Sequence, residues 1–348
     1  MIPEKMKALV VTDVRKVEVR EVSTPVPMPG EILVKLEKAL ICTWEQRIFT
    51  GQDVKPPFVP GHEISGVVAE IPEGTYTELE VGDPVIVKTY DSCGQCEFCY
   101  RGMDNLCKSK SKKRFYDGIP GAGGMAQYIA IASNRVFALN KDANLETAAF
   151  AEPLSCCLHS MEQADIEFGE DVVIVGGGIM GQLHSLLAQK RGARVILVEL
   201  DEARREMAKN MGAHVVINPA EVDAFEEIRR LTGGRGAHVI FYTINVVKLA
   251  RDYQDVLANR GRLIYYGSYH PSGEIAIDPN HIHYSEKLLT GSYSPTVKGF
   301  WQATQLLGNN LIDVSPFISA KFGIEDSQTA FERALDMDTY RVLIDLWH

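Results

Sequence analysis

The chain has 348 residues, 45% hydrophobic and 24% charged, enough for two domains with full cores. Its 36 Lys and Arg against 46 Asp and Glu leave a formal charge of −10, which argues against phosphate-backbone binding, so no nucleic-acid partner is expected. No run approaches 18 apolar residues and the charged first twenty lack the apolar core of a signal peptide, so no membrane span and a cytoplasmic location are expected.

Up to about residue 145, short runs at 7–11, 31–36, 67–70, 85–87 and 128–131 predict strands, separated by turn clusters such as Pro25-Val26-Pro27-Met28-Pro29-Gly30. Period-two runs punctuated by Gly and Pro predict an antiparallel, barrel-like β domain. From about residue 170 the pattern changes. A strand at 172–175, a helix at 179–191, a strand at 195–198 and a helix at 202–211 follow one another. A strand at 215–217, a helix at 221–231, a strand at 239–242, a helix at 249–258 and a strand at 263–266 continue the series. Repeated alternation of this kind predicts an α/β fold with a parallel sheet covered on both faces. The last stretch, 300–348, holds a helix-like segment and a strand-like run at 342–346.

The run Val172-Val173-Ile174-Val175 leads into Gly176-Gly177-Gly178-Ile179-Met180-Gly181, which fits G-x-G-x-x-G. The hexapeptide alone is weak evidence, but here it leaves a strand, opens a helix and is followed 18 residues on by Glu199 at the end of the next strand. That is the context of a dinucleotide site. Gly176 allows the tight turn, Gly178 the approach of a pyrophosphate and Gly181 close packing of helix on strand; Ile179 and Met180 begin the helix whose N–H groups face the anion. Glu199 would accept hydrogen bonds from the adenosine ribose and repel a 2′-phosphate, so NAD is expected over NADP. Arg204, on the following helix, reads either as a flank for the adenine or as a solvated side chain.

Seven cysteines are present, four of them in the pattern Cys93-x2-Cys96-x2-Cys99-x7-Cys107. Dense clustering in a long chain points to metal rather than to a disulfide framework. Four thiolates close on one tetrahedral ion, so a structural Zn2+ site is expected. The rival is an iron–sulfur cluster, but its bacterial spacing ends in x3-C-P, whereas here the last gap is seven and Lys108 follows. Beyond it, Lys108, Lys110, Lys112, Lys113 and Arg114 read as a solvated basic loop, with an anion-attracting rim as the alternative.

Cys42, His62 and Glu152 are metal-ligand types, but each alone has an ordinary structural reading, and spacing cannot bring them together. Their order along the chain adds more. Cys42, Gly61-His62-Glu63-x-x-Gly66, the four-cysteine segment, Gly123-Gly124-Met125-Ala126-Gln127-Tyr128 and the Gly176 turn together resemble the zinc-dependent medium-chain dehydrogenase/reductase family over essentially the whole chain. Within it, Glu152-Pro153-Leu154-Ser155 with His159 resembles the sorbitol (polyol) dehydrogenase branch.

The resemblance implies a GroES-like β-barrel catalytic domain, residues 1–150 and 285–348, split around a Rossmann NAD-binding domain of doubly wound parallel sheet, residues 151–284. It implies catalytic zinc ligands Cys42, His62 and Glu152, with Glu63 ligating or standing just behind the ion, and a structural zinc on Cys93, Cys96, Cys99 and Cys107. Gly267, Ser268 and Ser292 match backbone that lines the nicotinamide. The implied function is hydride transfer between NAD and a secondary alcohol of polyol or cyclitol type, by a homodimer or homotetramer acting on a small alcohol or ketone. A carbonyl reductase working in the reverse direction, or a zinc-stapled nucleotide-binding protein without activity, would carry the same signals. The sequence departs from the family at Cys42-Thr43-Trp44-Glu45, where Cys-Gly-Ser/Thr-Asp is common. Glu45 can still orient His62. Trp44 replaces the relay hydroxyl, leaving Thr43 or a water held by Glu63 or Glu152, and brings an apolar wall to the substrate site. Tyr116 and Tyr293 are further candidate walls, with core packing as the equal alternative for either.

Overall fold

A computed structural model describes residues 1–108 and 114–348. The chain divides into two compact units, residues 1–155 with 295–348, and residues 156–294.

The first unit is built on the strand Glu31–Ile41, whose apolar residues are buried almost throughout. It pairs antiparallel with Glu63–Glu70, Tyr128–Ala132 and Arg341–Asp345 in a seven-stranded sheet. The register sets Leu40 opposite Glu63 and Val342 opposite Ile41. Residues more than 270 positions apart thereby meet beside the end of one strand. The sheet is not wholly antiparallel as expected: Ile318–Gly323 runs parallel to Arg341–Asp345 at one edge. Val34, Leu36, Ile41, Val85, Val342 and Ile344 form part of the core.

The second unit holds six strands, all parallel, in the spatial order Val215–Ile217, Arg194–Val198, Asp171–Val175, Ala237–Tyr242, Leu257–Tyr265, Leu288–Gly291. In sequence order this is 3-2-1-4-5-6, the doubly wound dinucleotide-binding order, with its switch point between the first and fourth strands. Two expected helices differ. The one predicted over 221–231 spans Ala224–Leu231, because the Asp223 side chain accepts from the N–H groups of Phe225 and Glu226 and caps it. The one predicted over 249–258 breaks into Val247–Ala250 and a 3-10 turn, Asp252–Val256, and the next strand already begins at Leu257.

One core residue of this unit titrates. His184, on the helix Ile179–Lys190, is fully buried, donates from Nδ1 to the Met180 carbonyl at 2.7 Å and packs on Phe241 and Tyr266. Burial lowers its pKa to about 4. The unfolded chain takes up this proton near pH 6.5, so the stability from neutral His184 is complete above that pH and is lost as pH falls toward 4. About 3 kcal/mol is at stake. Denaturation at pH 7 and pH 4.5 is expected to show a steeper acid loss for the wild type than for His184→Leu; equal losses would remove His184 as the cause.

Candidate active site and metal centres

Cys42 directly follows the central strand and caps the helix Thr43–Phe49. Glu45, at the third helical position, turns back and accepts the Cys42 N–H at 3.2 Å, completing half of a capping box. The same carboxylate, fully buried, accepts the Gly61 N–H at 3.1 Å and lies 2.7 Å from His62 Nδ1. Gly61 stands at φ +105°, and a Cβ there would come within 2.3 Å of the Met125 nitrogen, so only glycine fits. Glu45 thus ties Cys42 to His62 and occupies Nδ1, so Nε2 is the nitrogen that could bind a metal beside the Cys42 thiol.

Glu63 follows on the adjacent strand and is fully buried. Both its oxygens accept from Arg341, Oε2 from Nε and Oε1 from Nη2, each at 2.7 Å. The sulfur of Cys42, a ring nitrogen of His62 and a carboxylate oxygen of Glu63 lie within 4.8 Å of one another. Glu152, in the first turn of Ala151–Ala164, is buried but is not among the three residues that cluster so closely. Burial pushes the Cys42 thiol up, and Glu63 adds to the shift while Arg341 opposes it. Burial disfavours protonated His62, but Glu45 and Cys42 together outweigh it and hold the imidazole well above its usual pKa. Trp44 sets its ring edge-on to His62, centroids 5.3 Å apart, and to Phe58 at 5.8 Å. Tyr90 packs against His62 at 5.7 Å. Thr43 is exposed at the first helical position.

In the same unit, Cys93, Cys96, Cys99 and Cys107 gather their sulfurs, four of the six pairs at 3.5–4.0 Å and all within 4.8 Å. A tetrahedron with metal–sulfur bonds near 2.3 Å has an edge of about 3.8 Å. The spacing therefore fits one ion, and it leaves no room for a multi-iron cluster. Arg114 opens the strand Arg114–Tyr116, while Lys110, Lys112 and Lys113 of the expected basic loop lie outside the described residues.

In the second unit the first strand leads into Gly176 at φ +102°, where a Cβ would meet Ile244 at 2.6 Å. Gly181 lies so close to the Gly176 carbonyl that a Cβ would approach it to 1.9 Å. Gly178 caps the helix Ile179–Lys190, and within 4 Å of a Cβ there only the Arg204 guanidinium appears. The turn is thus closed where the chain packs on itself and open where an anion would lie. Glu199 sits over it, accepting the Gly177 N–H at 2.6 Å and the Asp201 N–H at 2.8 Å. Beside it is a cavity of about 450 Å³ lined by Val198, Glu199, Asp223, Phe225, Ile244 and Tyr253, of a size and polarity that suit a nucleoside. Gly267 approaches the Ile244 carbonyl, and the Ser292 hydroxyl is buried without a hydrogen-bonding partner among the described residues. Ser268 follows Gly267 directly after the fifth strand.

One expected wall fails. Tyr116 is 4% exposed in a core with Met6, Ala8 and Val10, its hydroxyl occupying the space beside Gly123, so it packs the fold and lines no site. Tyr293 is largely exposed, next to the end of the second unit. Arg341 and Tyr90 were not anticipated. The one signal for Arg341 was an arginine heading an otherwise apolar strand run.

Two family models match the chain, "Alcohol dehydrogenase GroES-like domain" over residues 28–141 and "Zinc-binding dehydrogenase" over residues 180–309. The chain is 31% identical to a 2-dehydro-3-deoxy-L-galactonate 5-dehydrogenase of Pseudoalteromonas atlantica, covering 88% of each chain. It is 32% identical to an L-threonine 3-dehydrogenase of Pyrococcus abyssi, over 94% of this chain and 95% of that one. It is 29% identical to a sorbitol dehydrogenase of Bacillus subtilis, over 96% and 95%. Among solved structures, a Sinorhizobium meliloti protein described as a zinc-binding dehydrogenase and bound to NADP superposes with a TM-score of 0.89 at 27% identity, over 99% of this chain and all of that one. With a GroES-like domain, a parallel dinucleotide-type sheet and relatives of this identity along nearly its full length, the chain belongs to the zinc-dependent medium-chain dehydrogenase/reductase family, and it is an oxidoreductase of the alcohol dehydrogenase kind.

Proposed function

We propose that this chain is an NAD-dependent dehydrogenase acting on a secondary alcohol of polyol or cyclitol type. The observation that carries the reading is the close set of half-buried Cys42 with buried His62 and Glu63, in which Glu45 holds His62 by Nδ1. Zinc on Cys42, His62 and Glu152 would lower the pKa of a substrate hydroxyl, and the nicotinamide would take the hydride. The remaining work belongs to the chain. Glu45 orients His62, and the Glu63–Arg341 pair keeps an otherwise free carboxylate off the open position. With both Glu63 oxygens engaged and no hydroxyl on residue 44, Thr43 or a water held by Glu152 would carry the alcohol proton away. Zinc on the four cysteines would close that lobe and leave no site for chemistry. Two zincs per chain support this reading; one would favour a nucleotide-binding protein.

Glu199 supports NAD. Its carboxylate reaches over the glycine turn, where it would repel a 2′-phosphate, although the similar Sinorhizobium structure holds NADP. Glu199→Ala is expected to bring kcat/KM for NADP at least tenfold closer to that for NAD, by removing like-charge repulsion. A wild-type preference for NADP would sink the assignment. A homodimer, or a tetramer built from it, is supported by the strand Leu288–Gly291, one of the two edges of the six-stranded sheet, with Leu288 half exposed. The clustered thiols suit a reducing compartment such as the cytoplasm.

The similarity to L-threonine 3-dehydrogenase favours a second substrate class, hydroxy amino acids. The test is NAD reduction over sorbitol, myo-inositol, L-threonine and simple hydroxy acids, with the wild type and Trp44→Ser compared. Trp44 narrows the space at His62 and favours a ring or apolar face. Its replacement is expected to raise kcat/KM for linear polyols by about tenfold to a hundredfold, the scale of general acid–base help from a relay hydroxyl plus added room. If wild type prefers sorbitol and the variant only loses activity on every substrate, Trp44 is packing.

A further inference from the structure

The four-cysteine lobe and the Cys42–His62 centre are joined by one buried ammonium group. Lys88 follows the strand Pro84–Val87 and is 2% exposed, a rare state for a lysine without a partner. Its Nζ lies 3.1 Å from Asp104 Oδ2 and donates to the Tyr90 carbonyl at 3.2 Å. Asp104 belongs to the lobe, in the turn between Cys99 and Cys107. Its other oxygen accepts the Val297 N–H, at the start of the helix Val297–Gly308. Tyr90 packs its ring against His62, which is not in the lobe at all. The intervening backbone is pinned as well: Lys88 N–H donates to the Arg135 carbonyl at 2.9 Å, Arg114 donates to the Thr89 carbonyl, and Asp91 pairs with Arg135.

A lobe stapled only to itself needs none of this. A buried lysine–aspartate pair is costly to desolvate, and an apolar pair of the same volume would often serve stability as well. What the pair adds is direction, since one cation fixes a lobe side chain and the carbonyl of a residue that touches the metal-ligand set. Four thiolates around one divalent ion would also carry two net negative charges, and the Lys88 ammonium is a nearby buried cation that offsets them.

We propose that Lys88 is a positioning residue that couples the four-cysteine lobe to the Cys42–His62 centre, acting through Asp104 on one side and Tyr90 on the other. The inference rests on the reading that both centres hold zinc. It is independent of which alcohol is oxidised.

The test uses the zinc-loaded full chain with Lys88→Met, Lys88→Arg and Asp104→Asn, and two readouts that need no substrate. The first is the rate of zinc release to an excess of a chromogenic chelator. The second is the rate of Cys42 alkylation by iodoacetamide, followed by mass spectrometry of the Cys42 peptide. Lys88→Met is expected to speed release of the lobe zinc at least tenfold and alkylation of Cys42 at least fivefold. Asp104→Asn should move both in the same direction by less, and Lys88→Arg should restore most of each. If lobe zinc leaves faster while Cys42 alkylation stays at the wild-type rate in Lys88→Met and Asp104→Asn, Lys88 is a local staple and the coupling is wrong. Unchanged rates in both readouts overturn it too. Should Lys88→Met fail to fold, the arginine and asparagine variants decide by the same criteria. A wild-type zinc content well below two per chain would instead refute the two-zinc reading, and metal analysis of the wild type detects that separately.

Discussion

Arg341→Leu is expected to destabilise the zinc-stripped protein by about 3–5 kcal/mol, the usual cost of leaving one member of a buried ion pair behind. Both partners are at most 3% exposed, and the pair is bidentate at 2.7 Å on each oxygen. Burial disfavours the Arg341 charge, but Glu63 and Cys42 more than compensate and raise its pKa. Without the guanidinium, Glu63 would sit charged in an apolar setting beside Cys42 or take up a proton. For a unit of about 200 residues, the loss corresponds to a fall in Tm of roughly 6–20 °C. The zinc-loaded protein should lose less, because a metal ion replaces the missing cation and the freed carboxylate can turn toward it. That same turn would fill the position meant for substrate, so kcat/KM should drop on the order of a hundredfold even where zinc content is normal. Thermal denaturation of stripped and loaded forms, with zinc analysis, separates these effects. Glu63→Leu combined with Arg341→Leu should recover part of the stability and none of the activity. A stripped Arg341→Leu protein as stable as the wild type would show that the pair contributes nothing.

What the sequence made legible follows the distance over which each signal acts. The four cysteines fall within fifteen residues, and the glycine turn, its helix and Glu199 within about twenty-five, so local spacing nearly determines their geometry. The two-domain character was equally readable, because period-two runs and strand–helix alternation are local patterns. The Cys42 centre was different. Glu45 acts on His62 across 17 residues and Arg341 on Glu63 across 278, and only sheet register brings the latter pair together. Resemblance supplied Cys42, His62 and Glu63, but no composition or period points to Arg341 or Tyr90. Tyr116 stayed open between wall and core for the converse reason. An aromatic residue near a metal lobe in sequence looks like a pocket wall, yet its neighbours in space are Met6, Ala8 and Val10, from a strand more than a hundred positions earlier. The helix broken after Ala250 shows the limit of periodicity itself, since an apolar repeat does not reveal that the next strand starts at Leu257.

Cys99→Ser is expected to lower zinc from about two to about one per chain and to unfold the lobe around it. Apart from the metal, the lobe is held through Asp104, which meets Lys88 and the Val297 N–H. Its one α-helix, Glu97–Tyr100, is four residues long, far below the length that persists alone, and it buries no residue. Tyr100 is 77% exposed and Leu106 44%, so no apolar cluster stands in for the metal. Ligation and ordering are then one process, and the apparent binding energy of a structural zinc, of order 10 kcal/mol, is the ordering energy of this segment. Serine keeps the volume but not the chemistry, because a hydroxyl does not ionise near neutral pH as a metal-bound thiol does. The remaining sulfurs of Cys93, Cys96 and Cys107 hold an ion less tightly and leave its fourth position open to water. Limited proteolysis should then cut between residues 93 and 107 at least ten times faster than in the wild type. Asp104 sits in the same segment and caps the backbone of Val297, so the loss should extend to the start of the helix Val297–Gly308. Absorbance near 400 nm in the wild type would replace zinc by iron and sulfide in this account, against the 3.5–4.0 Å sulfur separations. A Cys99→Ser protein that keeps two zincs and resists the protease would show that packing, not metal, orders the lobe.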